Sequence, residues 1–382
     1  MKDYVKTVSA HRQALHLIPE LSFHEYKTTA YIRNTLKQLN IDYLTPLETA
    51  TIVYLKGNSG KTIGFRADID ALPIEEETSS PFTSTHSGAM HACGHDGHTS
   101  ILLTFAELCK TQQDQGLLKH NVLLIFQPSE ESNAGANALI KAFPFSDYNL
   151  EAIFALHLGP DTDEGVILTK EGPLMASATE YRINIKGRSA HVAEKETGAN
   201  ALGSLSHIAN QIAQIQQYHL NGLNQNVIHI GKMTAGEAIN TVASTGYLEG
   251  TIRTYDPKDL EIIKQKIDAV VKSSDLIFKT STTLTVAEGY PPVINTSSLL
   301  ELVEKSVESA GLRFKVKEHP YLYGEDFSFY DTVAKTNFAF LGIRNEELGY
   351  TSGLHTSTFN FDEKVLINGV TYFQEILNNL GE

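Results

Sequence analysis

The chain has 382 residues, more than one hydrophobic core ordinarily serves, so two domains are the starting expectation. It is 41% hydrophobic and 20% charged, as in an ordinary globular protein, with a formal net charge of -14. That charge argues against a nucleic-acid partner, which needs a basic face, and mildly against anionic membranes; no apolar run is long enough to span a bilayer, so no membrane partner is expected. The first residues, Met1-Lys2-Asp3-Tyr4-Val5-Lys6, lack the apolar core of a signal peptide. The two cysteines, Cys93 and Cys109, offer no disulfide framework, and Cys109 falls in a helical pattern as a small buried hydrophobe. A cytoplasmic location is the expectation that follows.

In chain order, a first helix is predicted from about Asp3 to Leu17, stopping before Pro19. Ser22-Phe23-His24-Glu25 reads as a capping box that opens a second helix reaching about Leu39. Short β-rich runs follow at Thr51–Leu55 and Thr62–Arg66, then a helix from about Gly97 to Lys110. Apolar strands at Asn121–Phe126 and Ala152–Leu156 flank a helix near Ala134–Ala142. Continuous apolar strands alternating with helices predict a mostly parallel sheet covered on both faces.

Around Pro173 the pattern changes. Tyr181 to Lys186 alternates, as a half-solvated strand does; a helix over about Ala199–Tyr218, strands near Val227–Ile230 and Gly246–Thr254, a helix over about Pro257–Lys272 and a strand at Thr282–Val286 follow. That order, βαββαβ, is the ferredoxin-like split unit. The alternation then resumes with a helix at Thr296–Ala310, a strand at Phe338–Gly342 and a terminal helix from about Asp362 to Leu380. The expected fold is α/β: a mostly parallel sheet catalytic domain (1–175 and 288–382) with an inserted ferredoxin-like domain (176–287).

The most informative stretch is His91-Ala92-Cys93-Gly94-His95-Asp96-Gly97-His98. Thiolate and imidazole at this spacing suit a divalent ion such as Zn(II), Co(II) or Mn(II), and the glycines let the backbone turn so that neighbouring side chains converge. In open α/β sheets ligands bind beyond the carboxyl ends of the strands. Arg66-Ala67-Asp68-Ile69-Asp70, Gln127-Pro128-Ser129-Glu130-Glu131 and His157 all follow or close predicted strands, and so are expected at one edge. Glu130 and Glu131 would repel unless a cation lay nearby; one can then bind it while the other takes a proton from the attacking water. His355 lies in a polar loop and is unassignable by spacing. His11, His16, His24, His86, His120, His207, His219, His229 and His319 are read as structural or solvated.

With these motifs in order, the whole chain resembles the amidohydrolase branch of metallopeptidase family twenty, relatives of bacterial aminoacylases, hippurate hydrolase, N-acetyldiaminopimelate deacetylase and plant auxin-conjugate hydrolases. The resemblance begins at His16-Leu17-Ile18-Pro19-Glu20-Leu21-Ser22-Phe23 and runs through Phe65-Arg66-Ala67-Asp68-Ile69-Asp70-Ala71-Leu72-Pro73. It continues in Met90–His98, Gln127–Glu131, Gly250-Thr251-Ile252-Arg253-Thr254 and Glu325-Asp326-Phe327. It implies a catalytic domain with an inserted lid and dimerisation domain, hence a homodimer through that insert. It also implies two divalent metal ions per subunit, Mn(II) or Zn(II) with Co(II) or Ni(II) as alternatives, held by Cys93, His95, Glu131, His157 and His355. Glu130 would be the general base and Asp70 a carboxylate orienting a ligand imidazole. His191 of the lid would polarise the scissile carbonyl, and Asn240 and Arg253 would hold the substrate. The implied reaction is hydrolysis of the amide bond of N-acyl amino acids. The chain departs from the family after His191, where it reads Val192-Ala193-Glu194-Lys195, at Tyr323-Gly324 before Glu325, and at Thr241-Val242-Ala243 after Asn240. These changes bear on substrate preference more than on reaction class.

Three other readings compete. A dipeptidase or aminopeptidase on the same site needs an acidic group for a free α-amine. A binding protein without turnover is disfavoured by the intact Glu130. A cysteine hydrolase using Cys93 would survive chelation, whereas a metal-dependent hydrolase would not.

Overall fold

The computed structural model describes residues 3–381; Met1, Lys2 and Glu382, at the outer ends of the expected catalytic domain, lie outside the described residues. In chain order the elements are α1 (Tyr4–His16), α2 (Tyr26–Gln38), β1 (Thr51–Leu55), β2 (Thr62–Asp68), α3 (His95–Asp114), β3 (Asn121–Gln127), α4 (Gly135–Ala142), β4 (Leu150–Asp163), β5 (Val166–Thr169) and β6 (Gly172–Met175). They continue with β7 (Thr179–Lys186), α5 (Ala201–His219), β8 (Asn226–Ala235), β9 (Thr245–Thr254), α6 (Pro257–Phe278), β10 (Ser281–Val286), β11 (Val293–Asn295), α7 (Leu300–Ser309), β12 (Arg313–Val316), β13 (Lys335–Arg344) and α8 (Leu366–Asn379). The described residues divide into two compact units: 3–174, Ile294–His319 and 326–381 form the first, Met175–Val293 and Pro320–Glu325 the second.

Among the described residues of the first unit, seven strands make a sheet in the order β1-β3-β2-β4-β13-β5-β12. The pairs β3/β2, β2/β4, β4/β13 and β5/β12 are parallel, while β1/β3 and β13/β5 are antiparallel. Every residue of β2 and β3 is buried, the result of cover on both faces and the reason the interior of β3 reads as an unbroken apolar run. Val8 and Leu15 of α1, Leu102 and Phe105 of α3, and Phe373 and Ile376 of α8 join Phe65, Leu124 and Phe154 of the sheet in one core.

The second unit pairs β10-β7-β9-β8 with antiparallel neighbours throughout, behind α5 and α6. Burial alternates residue by residue along Thr179–Lys186, as the sequence pattern predicts. The order β7-α5-β8-β9-α6-β10 is the expected βαββαβ. The fold is thus mixed α/β: a large, mostly parallel sheet in one unit and an antiparallel ferredoxin-like sheet in the other. No described helix is long and apolar enough to cross a membrane.

Three local expectations change. The second helix starts at Tyr26, and Glu25 makes no side-chain cap; the carboxylate of Glu20 instead accepts from the Lys27 and Thr28 amides at 2.7 and 3.0 Å. The helix after the histidine cluster begins at His95, two residues early, entered through Gly94 at φ +86°, where a Cβ would also meet Leu158 at 2.9 Å. His157 does not close its strand: β4 runs on to Asp163 because β13 stays paired with it past Gly159, although β2 leaves it after Ala155.

Candidate metal centre

β2 and β3 are parallel and end in register, Asp68 opposite Gln127, so the segments leaving them emerge side by side. The first carries Asp70, fully buried, and its carboxylate is the organising group of the site. Oδ1 accepts from His95 Nδ1 at 3.2 Å and from the Glu130 amide at 3.1 Å. Oδ2 accepts from the Ser22 hydroxyl at 2.7 Å and the Glu131 amide at 3.1 Å. The Asp70 carbonyl lies 2.9 Å from the same His95 nitrogen. With Nδ1–H directed at Asp70, His95 turns its Nε2 toward Glu131, and the two glutamates are pinned by their backbone.

The turn that bears those glutamates is tight. Ser129 stands at φ +59°, and a Cβ on Gly135 would fall 1.8 Å from the Pro128 carbonyl oxygen, so only glycine closes the loop. Glu25 Oε1 accepts from the Ser129 amide and the Phe23 amide, both at 2.9 Å. Burial first, then the neighbouring Asp70 charge, pushes the Glu25 carboxyl up to about 7. The residue that reads as half of a capping box therefore holds the loop before the Glu130-Glu131 pair.

Donor atoms converge around this frame. One atom each from Cys93, His95 and His157 lies within 4.8 Å of the others, and the same holds for Cys93, Glu131 and His355 and for His95, Glu130 and Glu131. Cys93 Sγ is 3.5 Å from His157 Nε2, and Glu131 Oε1 is 3.3 Å from His355 Nε2 and 3.7 Å from His95 Nε2. His355, at φ +59°, is placed by its own amide on the Ala92 carbonyl at 2.8 Å. His95 Nε2 and Glu131 Oε1 are buried and make no hydrogen bond. Orphaned polar atoms of this kind are costly unless a ligand takes them up. Burial works against charge on His95, yet Asp68, Asp70 and Glu131 raise it to about 10, which measures the negative potential gathered there. Burial, then Glu131 and Glu130, drives the Cys93 thiol well above its usual range, so it is a poor free nucleophile, and a divalent cation is what would stabilise its thiolate. The donor set of one thiol, three imidazoles and carboxylates fits a borderline divalent ion.

All five expected ligands, with Glu130 and Asp70, therefore meet in the first unit. Missed by sequence reasoning were the roles of Glu25, Asp68 and His98. The signal for His98 was present, since His95 and His98 share a helix face at i, i+3. In the second unit His191 is exposed, its Nδ1 accepting from the Ala193 amide at 3.2 Å, and the Val192 amide donates to the Asn240 carbonyl at 3.0 Å, so His191 and Asn240 are neighbours. Arg253 is not with them. Asn240 precedes β9 and Arg253 lies near its far end, eight residues beyond Thr245 and so about 26 Å along the strand.

Comparison with known proteins agrees with this geometry. The sequence model of peptidase family M20/M25/M40 matches residues 64–379. Uncharacterized hydrolases of Staphylococcus haemolyticus and Staphylococcus aureus are each 52% identical over 376 residues, 98% of this chain and of theirs. The solved YXEP protein of Bacillus subtilis, a dinuclear metal binding peptidase from the M20 family, is 32% identical, with a TM-score of 0.83 over 99% of this chain and 98% of its own. An aminobenzoyl-glutamate utilization protein from Klebsiella pneumoniae shares the fold at 18% identity and a TM-score of 0.70, covering 98% of this chain and 97% of that one. The chain belongs to peptidase family M20/M25/M40 and is a hydrolase of that family.

Proposed function

We propose that the protein hydrolyses the amide bond of N-acyl amino acids, using two divalent ions held by Cys93, His95, Glu131, His157 and His355. The observation that carries the reading is the pair of buried, unbonded atoms His95 Nε2 and Glu131 Oε1 in one donor group with Glu130. Bound ions would supply Lewis acidity, lowering the pKa of water and polarising a carbonyl. Glu130 takes a proton from the attacking water as its oxygen adds to the acyl carbon, then returns that proton to the amide nitrogen as the C–N bond breaks. The products are a carboxylate and a free amino acid. Asp70 holds Glu130 in place through its amide, and His191 serves as the donor to the developing oxyanion. Asn240 and Arg253 are proposed to contact the substrate.

The acyl-amino-acid reading is favoured over a dipeptidase in that the two aspartates at the end of β2, Asp68 and Asp70, are already committed. Asp68 is engaged by Arg66 and His98, and Asp70 by Ser22, His95 and the Glu130 and Glu131 amides. Neither is free to receive an α-ammonium group. The test is the Mn(II)-loaded protein against pooled N-acetyl, N-benzoyl and longer N-acyl amino acids plus dipeptides, free amines being read by mass spectrometry. Amine release from the acylated set that stops on chelation is expected; cleavage confined to dipeptides would replace this reading with a peptidase.

A further inference from the structure

His98, the last histidine of the cluster, has no place among the ligands. It is 3% exposed and lies on α3 one turn after His95. Its Nδ1 is 2.6 Å from Asp68 Oδ1, and its Nε2 is 2.9 Å from the Leu158 amide nitrogen. A backbone N–H can only donate, so Nε2 carries no proton, and Nδ1 must donate to Asp68. The ring is neutral in one tautomer, in keeping with burial pulling its pKa down. Asp68 is fixed in turn by Arg66, whose Nη1 donates to Oδ2 at 2.6 Å. Asp68, His95 and His98 together look like a further metal-binding group, but His98 has both nitrogens occupied and Asp68 has both oxygens engaged. They form a support instead.

The support bears on His157. Where β2 departs after Ala155, β4 loses its neighbour on that side, and the buried Leu158 amide needs another acceptor. His98 provides it. The next atoms of the same residue hold the ligand: His157 Nδ1 donates to the Leu158 carbonyl at 2.8 Å, which leaves Nε2 bare and 3.5 Å from Cys93 Sγ. The His98 ring packs edge-on against that of His157, centroids 4.5 Å apart. We infer that His98 is a positioning residue for the metal centre: by accepting from the Leu158 amide it locks the peptide that sets the tautomer and direction of the ligand His157. The inference rests on the Cys93–His157 group being a metal centre.

Two substitutions separate the two bonds of His98. In His98→Asn the amide nitrogen replaces Nδ1 and keeps Asp68, while the Leu158 amide loses its acceptor. In His98→Gln a carbonyl oxygen can reach the Nε2 position and keep Leu158. The apo full-length protein is titrated with Co(II), and the thiolate-to-cobalt absorption reports the ion beside Cys93. His98→Asn is expected to weaken that ion by about 10–100-fold, with most of the loss recovered in His98→Gln. Parental binding by His98→Asn, or equal weakening in both variants, would overturn the inference. Should His98→Asn fail to fold, nitrogen-15 histidine spectra of the parent decide: a neutral, Nδ1-protonated His98 is expected, and an Nε2-protonated or charged ring overturns the assignment. Parental protein that takes up no Co(II) would instead end the metal-centre reading itself.

Discussion

Asp70 shows how much of this site one side chain sets. Its two oxygens receive the His95 ring, the Ser22 hydroxyl and the amides of both Glu130 and Glu131. Asp70→Asn puts donors where acceptors are needed, and metal affinity is expected to fall about 10–100-fold, read by competition against a chromophoric chelator. Glu130→Gln should do the opposite: both ions retained, with the rate of amide cleavage lower by at least about 10²–10⁴-fold. Loss of metal in Glu130→Gln would make that residue a ligand and not the base. At this scale the sequence was legible wherever chemistry is written in residue type, as in Cys93, His95 and the Glu130-Glu131 pair. It was silent on Glu25, because a carboxylate followed by a helix looks like a cap until its partner at Ser129, 104 residues away, is seen.

Elements extend the same lesson. The strongly apolar β3 and the alternating β7 were readable from period alone, whereas β5, β11 and β12 were not: they have three or four residues each, and β12 is a largely exposed edge. The contact of α1 with α3 was equally invisible. His16 near the end of α1 lies with Nδ1 2.7 Å from Asp96 and Nε2 3.3 Å from Glu76, and Arg12 stacks on Phe361 at 3.7 Å while meeting Asp96 at 3.4 Å. Burial opposes charge on His16, but Asp96 and Glu76 raise it from 6.5 to about 9. A histidine raised in this way stabilises the fold fully below pH 6.5 and loses that contribution as pH rises to about 9. In the apo protein His16 should therefore contribute a loss of up to about 1.4 kcal/mol per pH unit across this window, added to the loss from the likewise raised His95, and His16→Gln should make the slope shallower by that amount. Denaturant melts of the two proteins across the window check it; matching slopes would refute the ion-paired histidine.

The molecule as a whole joins a unit whose chemistry is buried to one whose sheet presents β8 as an open edge, with β8 largely exposed along its length. A strand edge of this kind invites pairing with another chain. We expect a homodimer through the inserted unit, which light scattering would report as twice the chain mass; a mass that stays at one chain throughout a dilution series would refute it. The change of hydrophobic period near Pro173 lies close to Met175, where the second unit begins, but nothing in the sequence signals that Pro320–Glu325 joins that unit. The separation of Arg253 from Asn240 along β9 was not legible either, because spacing in a sequence gives no distance along a strand.

The claim on which all of this depends is that the clustered donors of the first unit hold two divalent ions required for turnover. The most direct measurement is metal content by mass spectrometry on one preparation, stripped and then reloaded stepwise, with amide hydrolysis followed at each step. Two ions per chain, with activity that disappears on stripping and returns with occupancy, is the expected result. Turnover that persists in protein verified as metal-free would contradict the account.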